Sequence, residues 1–154
     1  MKRKAFTIVE LMVAIAILLI LCGLVLNAVE VSKKATLAEN ATPQALFDAI
    51  REVETGGEPD GGIGAVGDRG KSIGPYQIGE LYWTDAVEHR PSIGGEWQDC
   101  AESYHYSEQI MLAYWDRWGA ETNEEKARMH NGGPGGMQKD VTLEYWNRVK
   151  ARLD

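Results

Sequence analysis

Two stretches decide the fold of this chain: IREVETGG at residues 50–57 and GDRGKSIGPYQI at residues 67–78. The first ends a helical pattern, because apolar residues recur on one face of the preceding segment and two glycines follow. Those apolar residues are Leu46, Phe47, Ile50 and Val53. We therefore expect Glu54 in the last turn of a helix and Asp68 in a glycine-rich loop.

The rest of residues 42–154 predicts a mostly helical α+β domain. Thr42 and Pro43 predict the N-cap and first residue of the helix that ends at Gly56. Four more helical patterns follow: residues 79–88, residues 106–118 with Gly119 as C-cap, residues 122–130 opened by a capping box, and a last helix capped by Thr142. The glycines between residues 61 and 78 favour turns and a small β-hairpin. About 110 residues suffice for one hydrophobic core.

Residues 1–31 predict a membrane-spanning segment. A basic head at residues 2–4 precedes an apolar run in which residues 11–26 carry no charge, and a membrane helix needs roughly 20 apolar residues. The basic head predicts a cytoplasmic N-terminus, so that the chain after Val31 is exported. We expect localisation in the cytoplasmic membrane and a polar, weakly helical linker over residues 32–41.

A simple signal peptide is one interpretation of this segment, but Glu10 is costly near the start of an apolar stretch. The sequence FTIVEL at residues 6–11, behind a short basic head, resembles the type IV prepilin leader. That resemblance implies cleavage between Ala5 and Phe6, methylation of Phe6, and a contact of Glu10 with an N-terminal amine during filament assembly. Prepilin peptidase and pilin-like subunits are the partners it implies.

The leader departs from that pattern at one position and precedes a different kind of domain. The residue before the cut is usually Gly in prepilins, and here it is Ala5. A pilin head needs several strands with alternating apolar residues, and the sequence contains none of usable length. The leader is therefore predicted to be joined to a domain unrelated to pilin heads.

Composition excludes several classes of function. The net charge of −7 and a pI near 5.0 argue against binding of nucleic acid, which needs a stripe of Lys and Arg. Cys22 and Cys100 cannot build a disulfide framework, and both are expected to be free thiols. Three histidines and two cysteines without metal-ligand spacing predict no zinc site. We expect neither a metal nor a cofactor.

Glu54 and Asp68 form the pair of carboxylates that cleavage of a glycosidic bond requires. One carboxyl must be protonated as a general acid while the other is ionised. Glu54 lies at an apolar helix end, which favours the protonated form, whereas the backbone amides around Asp68 and Ser72 favour the anion. By spacing alone the pair is unremarkable, because a solvated acid and an ordinary Asp-Gly turn explain it equally well.

Six sequence blocks give the pair its specificity. They are ETG at residues 54–56, DRG at 68–70, GPYQI at 74–78, YWTDA at 82–86, ARMHNGGP at 127–134 and YWNR at 145–148. In this order over residues 45–153 they resemble the invertebrate-type lysozyme family, also called destabilases. The resemblance implies a lysozyme-like fold and hydrolysis of the β-1,4 bond between N-acetylmuramic acid and N-acetylglucosamine in peptidoglycan. It also implies that Glu54 is the acid and Asp68 the second carboxylate.

Members of that family usually contain many disulfides, whereas this chain does not. Ala49, Arg51, Gly57 and Ile73 occupy positions where half-cystines are expected, and Cys100 alone remains. We therefore expect stability to come from a core rich in large aromatic residues.

Five further residues are predicted to contact the substrate: Ser72, Tyr76, Gln77, His130 and Asn131. Tyr76 and Gln77 are placed along a sugar groove, although Gln77 equally suits a role in tying down its own loop. His130 also suits a helix C-cap contact. Three tryptophans are expected in the core instead of on a sugar platform: Trp97, Trp115 and Trp118.

Three alternative functions remain open at this stage. A lytic transglycosylase would use a single Glu and form an anhydro ring, and Asp68 favours hydrolysis over it. A non-catalytic pseudopilin would only bind wall glycan through its head. Isopeptide cleavage would need Ser72 as nucleophile and His130 as base within hydrogen-bond reach.

Overall fold

The computed structural model describes residues 8–58 and 60–153, so the proposed cleavage site between Ala5 and Phe6 lies outside the described residues. The chain divides into two compact units, Met1–Leu37 and Ala38–Asp154.

The first unit is built from one long helix. Helix α1, Ile8–Glu39, has 32 residues and is about 48 Å long at 1.5 Å per residue. Its most apolar window has a mean hydropathy of 3.0, and its large apolar side chains are exposed from Ile8 to Val31. By length and composition the helix can cross a membrane, as predicted. It carries Glu10 in its first turn and continues as helix through most of residues 32–41.

The second unit holds six α-helices among its described residues, besides two short 3₁₀ helices, Pro91–Ile93 and Gly136–Gln138. The α-helices are α2 Pro43–Thr55, α3 Glu80–His89, α4 Asp99–Glu102, α5 Tyr104–Trp118, α6 Asn123–Gly132 and α7 Asp140–Lys150. Helix α2 begins as predicted, because the Thr42 hydroxyl accepts a hydrogen bond from the Ala45 N–H. It ends at Gly56, whose φ of 65° is the left-handed conformation typical of helix C-caps.

The predicted boundaries of α5 and α6 are close to the observed ones. Helix α5 begins at Tyr104, two residues before the predicted start, with Ser103 as its N-cap, and Gly119 ends it in the left-handed conformation. The capping box of α6 is present, with Thr122 and Glu125 each accepting a hydrogen bond from the other's backbone. Local hydrogen-bonding groups therefore set these helix ends.

The predicted start of the last helix is wrong. Helix α7 begins at Asp140 with Lys139 as its N-cap residue, so Thr142 lies inside the first turn. The buried Thr142 hydroxyl contacts the backbone oxygens of Gly136 at 2.5 Å and Lys139 at 2.7 Å. It is used to hold the preceding turn and is not free to cap the helix.

A small antiparallel sheet occupies the segment where a hairpin was predicted. Its strands are β1 Val66–Gly67, β2 Ser72–Ile73 and β3 Ile78–Gly79, in the order β1-β2-β3. Ile73 pairs with Val66 on one side and with Ile78 on the other. The hairpin is therefore extended by a third strand, which leads directly into α3.

The core of this unit is aromatic and contains no disulfide. Phe47 of α2 stacks on Trp115 of α5 with ring centroids 5.5 Å apart. Ala49 and Ile73, at two of the positions expected for half-cystines, are buried in the same cluster. Cys100 is a buried free thiol, and burial raises its pKa to about 12. Apolar packing thus occupies positions that cystines would fill.

Candidate active site

A cleft of about 290 Å³ brings together most of the predicted site residues. Its lining residues are Glu54, Gly67, Asp68, Ser72, Gln77, His130 and Asn131. They come from the end of α2, the β1–β2 hairpin, the turn before β3 and the end of α6. Glu54 and Asp68, fourteen positions apart in the sequence, therefore face one cavity.

Glu54 is held at the inner side of this cleft by Tyr145. The Tyr145 hydroxyl donates a hydrogen bond of 2.6 Å to Oε1 of Glu54, whose side chain is 18% exposed. Burial, with the Glu54 charge adding to it, raises the pKa of Tyr145 well above its ordinary value. Tyr145 therefore keeps its proton and remains a donor to Glu54.

His130 faces the same oxygen of Glu54 from α6. Its Nε2 atom lies 3.7 Å from Oε1, and its side chain is only 4% exposed. Burial lowers the pKa of His130, and the nearby Glu54 opposes that effect in part. The expected C-cap contact of His130 is not observed, since α6 ends at Gly133 and the Gly133 N–H donates to Met129.

Asp68 lies on the exposed rim of the cleft, in the β1–β2 turn. The backbone of Asp68 and Arg69 is left-handed, with φ of 47° and 58°, and the Gly70 N–H closes the turn on the Gly67 oxygen at 2.8 Å. A left-handed conformation is uncommon for residues with a Cβ, and Asp tolerates it better than Arg. The turn places Asp68 at the mouth of the cavity.

Ser72 and Gln77 form the wall next to this turn. The Ser72 hydroxyl donates to Oε1 of Gln77 at 2.9 Å, and Nε2 of Gln77 donates to the Gly74 oxygen at 2.9 Å. Gln77 thus ties down its own loop and also lines the cleft. Gly67 packs so closely on Gln77 and Ser72 that a Cβ at this position would collide with both side chains.

The prediction that Tyr76 lines the groove is wrong. Tyr76 is fully buried, its ring packs edge to face against Phe47, and its hydroxyl donates to Oε1 of Glu108 at 2.7 Å. The buried hydroxyl of Tyr76 thus has a hydrogen-bond partner, as a tyrosine in a core usually does. Tyr76 therefore anchors the loop to α5.

The serine and histidine required for isopeptide cleavage are not paired. Ser72 is buried and donates to Gln77, whereas the near carboxylate of His130 is Glu54. A nucleophile needs its base within hydrogen-bond reach.

Within residues 8–58 and 60–153, no group of three His, Cys, Asp or Glu side chains could hold a metal ion.

The three tryptophans expected in the core occupy different environments. Trp115 is buried, as predicted. Trp97 is half-buried and donates its indole N–H to the Ile78 oxygen at 2.9 Å. Trp118 is 43% exposed beneath the Arg117 guanidinium, so its predicted core position is wrong. Its position at the end of α5 leaves no element to cover it.

Tyr145 lies within the block YWNR, whose sequence context predicts no role for it at the site. Tyr145 lies 91 positions from Glu54, and nothing in its local pattern distinguishes it from a core aromatic residue. The apolar face that it shares with Trp146 and Val149 was the one available signal.

Comparison with known proteins agrees with this architecture. Residues 48–152 match the family model described as Destabilase, and residues 1–26 match the model described as Prokaryotic N-terminal methylation motif. The chain belongs to the destabilase family of invertebrate-type lysozymes. Both resemblances inferred from the sequence blocks are thereby confirmed.

Several relatives are molluscan lysozymes. Lysozyme 1 of Crassostrea virginica is 34% identical over 127 residues, which cover 79% of this chain and 65% of the relative. The lysozyme of Meretrix lusoria is 34% identical over 113 residues, covering 70% of this chain and 87% of the relative. The chain spans 65% of the length of the Crassostrea protein and 61% of the Ostrea edulis lysozyme.

Solved structures confirm the lysozyme-like α+β fold. The Meretrix lusoria lysozyme, in complex with Aeromonas hydrophila PliI, has a TM-score of 0.56 and 34% identity, covering 69% of this chain and 86% of that one. The Tapes japonica lysozyme has the same TM-score and coverage at 28% identity.

Proposed function

We propose that this protein is a membrane-tethered muramidase that hydrolyses the β-1,4 bond between N-acetylmuramic acid and N-acetylglucosamine in peptidoglycan. One observation carries the proposal: Glu54 and Asp68 line the same cleft of a lysozyme-family domain. Family membership supplies the substrate class, and the cleft supplies the two carboxylates that the reaction requires.

Glu54 acts as the general acid. Oε1 already accepts the Tyr145 hydroxyl proton in a hydrogen bond, so the acid proton resides on Oε2. From there it passes to the glycosidic oxygen as the bond between that oxygen and C1 breaks, and the electron pair leaves with the departing sugar. Tyr145 fixes which of the two oxygens carries out the transfer.

Asp68 acts as the ionised partner. Its exposed carboxylate at the cleft mouth faces the positive charge that develops at C1 in the transition state. A water molecule then supplies a hydroxide to C1 and returns a proton to Glu54, which restores the resting enzyme. The hydrolysis therefore consumes one water molecule and leaves a reducing muramic end.

The predicted substrate contacts divide into two groups by exposure. Asn131 is exposed and Gln77 is partly exposed in the cleft, so their amides bind hydroxyl or N-acetyl groups of the sugar. Ser72 is buried and orients Gln77, and the side chain of His130 is buried against Glu54. We assign Ser72 to the orientation of Gln77 through its hydrogen bond, and His130 to the electrostatic surroundings of Glu54 at 3.7 Å.

The test is an assay of the purified chain in detergent on peptidoglycan, with products identified by mass spectrometry. Glu54→Gln is expected to lower turnover at least about 1,000-fold and Asp68→Asn about 100-fold, within the range of general acid–base catalysis. Glu52→Gln is the matched control, because Glu52 lies on the same helix in an exposed ion pair with Arg152. An anhydro muramic product would assign the enzyme to the lytic transglycosylases, and glycan binding without any product would assign it to non-catalytic binding.

We propose further that the N-terminus is cytoplasmic and that the cleft faces the periplasm or the exterior, where peptidoglycan lies. The basic head at residues 2–4 and the apolar helix α1 support this orientation. Cleavage between Ala5 and Phe6 by a prepilin peptidase would leave Glu10 near the new terminus, where it can meet the N-terminal amine of a pilin-like subunit.

Two measurements test the membrane orientation and the cleavage independently. A reporter enzyme that is active only outside the cytoplasm, fused after residue 154, is expected to be active, and an inactive fusion would contradict the orientation. N-terminal sequencing of the protein from membranes is expected to begin at a methylated Phe6. If the parent protein still begins at Met1 and the Ala5→Gly variant begins at Phe6, Ala5 blocks processing.

A further inference from the structure

The catalytic cleft continues into two neighbouring cavities along the β1–β2 turn. One, of about 360 Å³, is lined by Asp68, Arg69 and Lys71. The next, of about 340 Å³, shares Lys71 and extends to Trp97. Asp68 borders the first cavity as well as the cleft, so Arg69 and Lys71 lie next to the cleft on the far side of Asp68.

Arg69 differs from most arginines of the domain. Among the described residues, Arg69 and Arg148 form no ion pair with a carboxylate, whereas five other arginines do: Arg51, Arg90, Arg117, Arg128 and Arg152. In the described part of the chain, no carboxylate lies within ion-pair distance of Arg69 or Lys71, and both side chains are exposed. Arg69 and Lys71 thus place two cations in the cavity that Asp68 also lines, and Glu80 lines the second cavity with Lys71, in a chain whose net charge is −7.

The backbone supports a role for Arg69 in particular. Its φ of 58° lies in the left-handed region, which Gly adopts without cost and a long side chain with a Cβ does not. The second central position of such a turn normally favours Gly. Strained residues that persist at the edge of a site are candidates for a functional side chain.

We propose that Arg69 and Lys71 form a carboxylate-binding site that selects peptidoglycan over neutral amino-sugar polymers. The inference rests on the proposed muramidase function. Peptidoglycan carries carboxylates on the peptides attached to the lactyl groups of its muramic acid residues, and on those lactyl groups that bear no peptide, whereas a polymer of N-acetylglucosamine carries none. A carboxylate held beside Asp68 fixes the register of the glycan, so that a muramic residue lies at the point of cleavage.

The test measures binding, which needs no turnover, in full-length protein carrying Glu54→Gln. Three soluble probes are titrated: a peptide-bearing muramyl tetrasaccharide, the same sugar stripped of peptide, and a tetramer of N-acetylglucosamine. Arg69→Gln combined with Lys71→Gln is expected to weaken binding of the peptide-bearing probe about three- to tenfold, as two exposed ion pairs would, and less at high salt. Arg90→Gln with Lys150→Gln removes two charges elsewhere and is expected to change nothing.

The three probes identify which carboxylate is bound. They also separate failure of the carboxylate-binding site from failure of the muramidase function. An equal loss with the stripped sugar shows that the site accepts either a peptide carboxylate or the lactyl carboxylate freed by removal of the peptide, and a loss confined to the peptide-bearing probe assigns the peptide. No loss, or an equal loss with the neutral tetramer, would overturn the site. Failure of the parent protein to cleave peptidoglycan would instead count against the muramidase function, whatever the binding result.

A second variant separates binding from a structural role. Arg69→Gly removes the charge and relieves the left-handed backbone, so Tm is expected to stay the same or rise while binding of the peptide-bearing probe weakens. A fall in both Tm and binding would make Arg69 a structural residue and contradict the proposal.

Discussion

The hydroxyl of Tyr145 donates a 2.6 Å hydrogen bond to Oε1 of Glu54, although 91 positions separate the two residues. The bond joins the last helix of the domain to the last turn of α2. At 2.6 Å this hydrogen bond is at the short end of the range for hydroxyl donors, and it restricts the rotamer of the proposed acid. The orientation of Glu54 therefore depends on how α7 packs.

Removal of this hydroxyl should lower the rate of the chemical step. Tyr145→Phe keeps the ring but leaves Oε1 of Glu54 without its donor, a loss of about 1–3 kcal/mol, or roughly 10- to 100-fold in kcat. We expect KM to change little. Steady-state assays on peptidoglycan measure both constants. Tyr104→Phe, which removes a hydroxyl bonded to the backbone of Asp60, should retain activity, and equal kcat values in the two variants would remove Tyr145 from the site.

The buried His130 should make stability depend on pH. Its folded-state pKa lies below the ordinary 6.5 because of burial, so the unfolded chain binds the proton more readily. The free energy of unfolding therefore falls as pH drops below about 6.5. Thermal unfolding between pH 7.5 and 5.5 measures the slope, which His130→Asn is expected to reduce. The exposed His105→Asn should leave the slope as it is, and a steep slope that persists without His130 would contradict this assignment.

A side chain at Gly67 should push the ends of the Ser72 and Gln77 side chains away, because a Cβ at this position would come too close to both. Gly67→Ala is expected to displace the cleft wall and to lower kcat/KM on the order of 100-fold, as a displacement of about 1 Å does. Gly135→Ala, whose new Cβ would meet its nearest neighbour at an ordinary 3.8 Å, is the control. Full activity of Gly67→Ala would show that the wall is not part of the site.

Thr142 should contribute to stability and not to catalysis. Its hydroxyl contacts the backbone of the turn before α7 and accepts a bond of 3.2 Å from Nε of Arg128. Thr142→Val keeps the shape but leaves the buried Nε of Arg128 without its acceptor, while the Gly136 and Lys139 oxygens keep backbone donors. We therefore expect a loss of about 1–3 kcal/mol in the free energy of unfolding. Urea denaturation measures it against Thr84→Val, whose hydroxyl bonds one backbone oxygen on the surface of α3. Equal losses would show that the buried network adds nothing.

Much of the fold could be predicted because helix ends are set by neighbours. Thr42, Gly56, Gly119 and Thr122 act through hydrogen bonds or backbone conformations that involve residues at most four positions away. Thr142 was misassigned for the opposite reason. Its hydroxyl donates to the Gly136 oxygen and accepts a hydrogen bond from Arg128, which lies 14 positions away in the sequence. These contacts outside the helix end are not visible in the local sequence.

Composition and short-range order were sufficient to predict the apolar N-terminal helix, most helix ends and the two carboxylates, but not the start of α7. Which side chains meet at the cleft depends on tertiary packing. It placed Tyr76 in the core, Tyr145 on Glu54, and Arg69 with Lys71 beside Asp68. Such contacts join segments that are distant in the sequence, so no local sequence pattern predicts them.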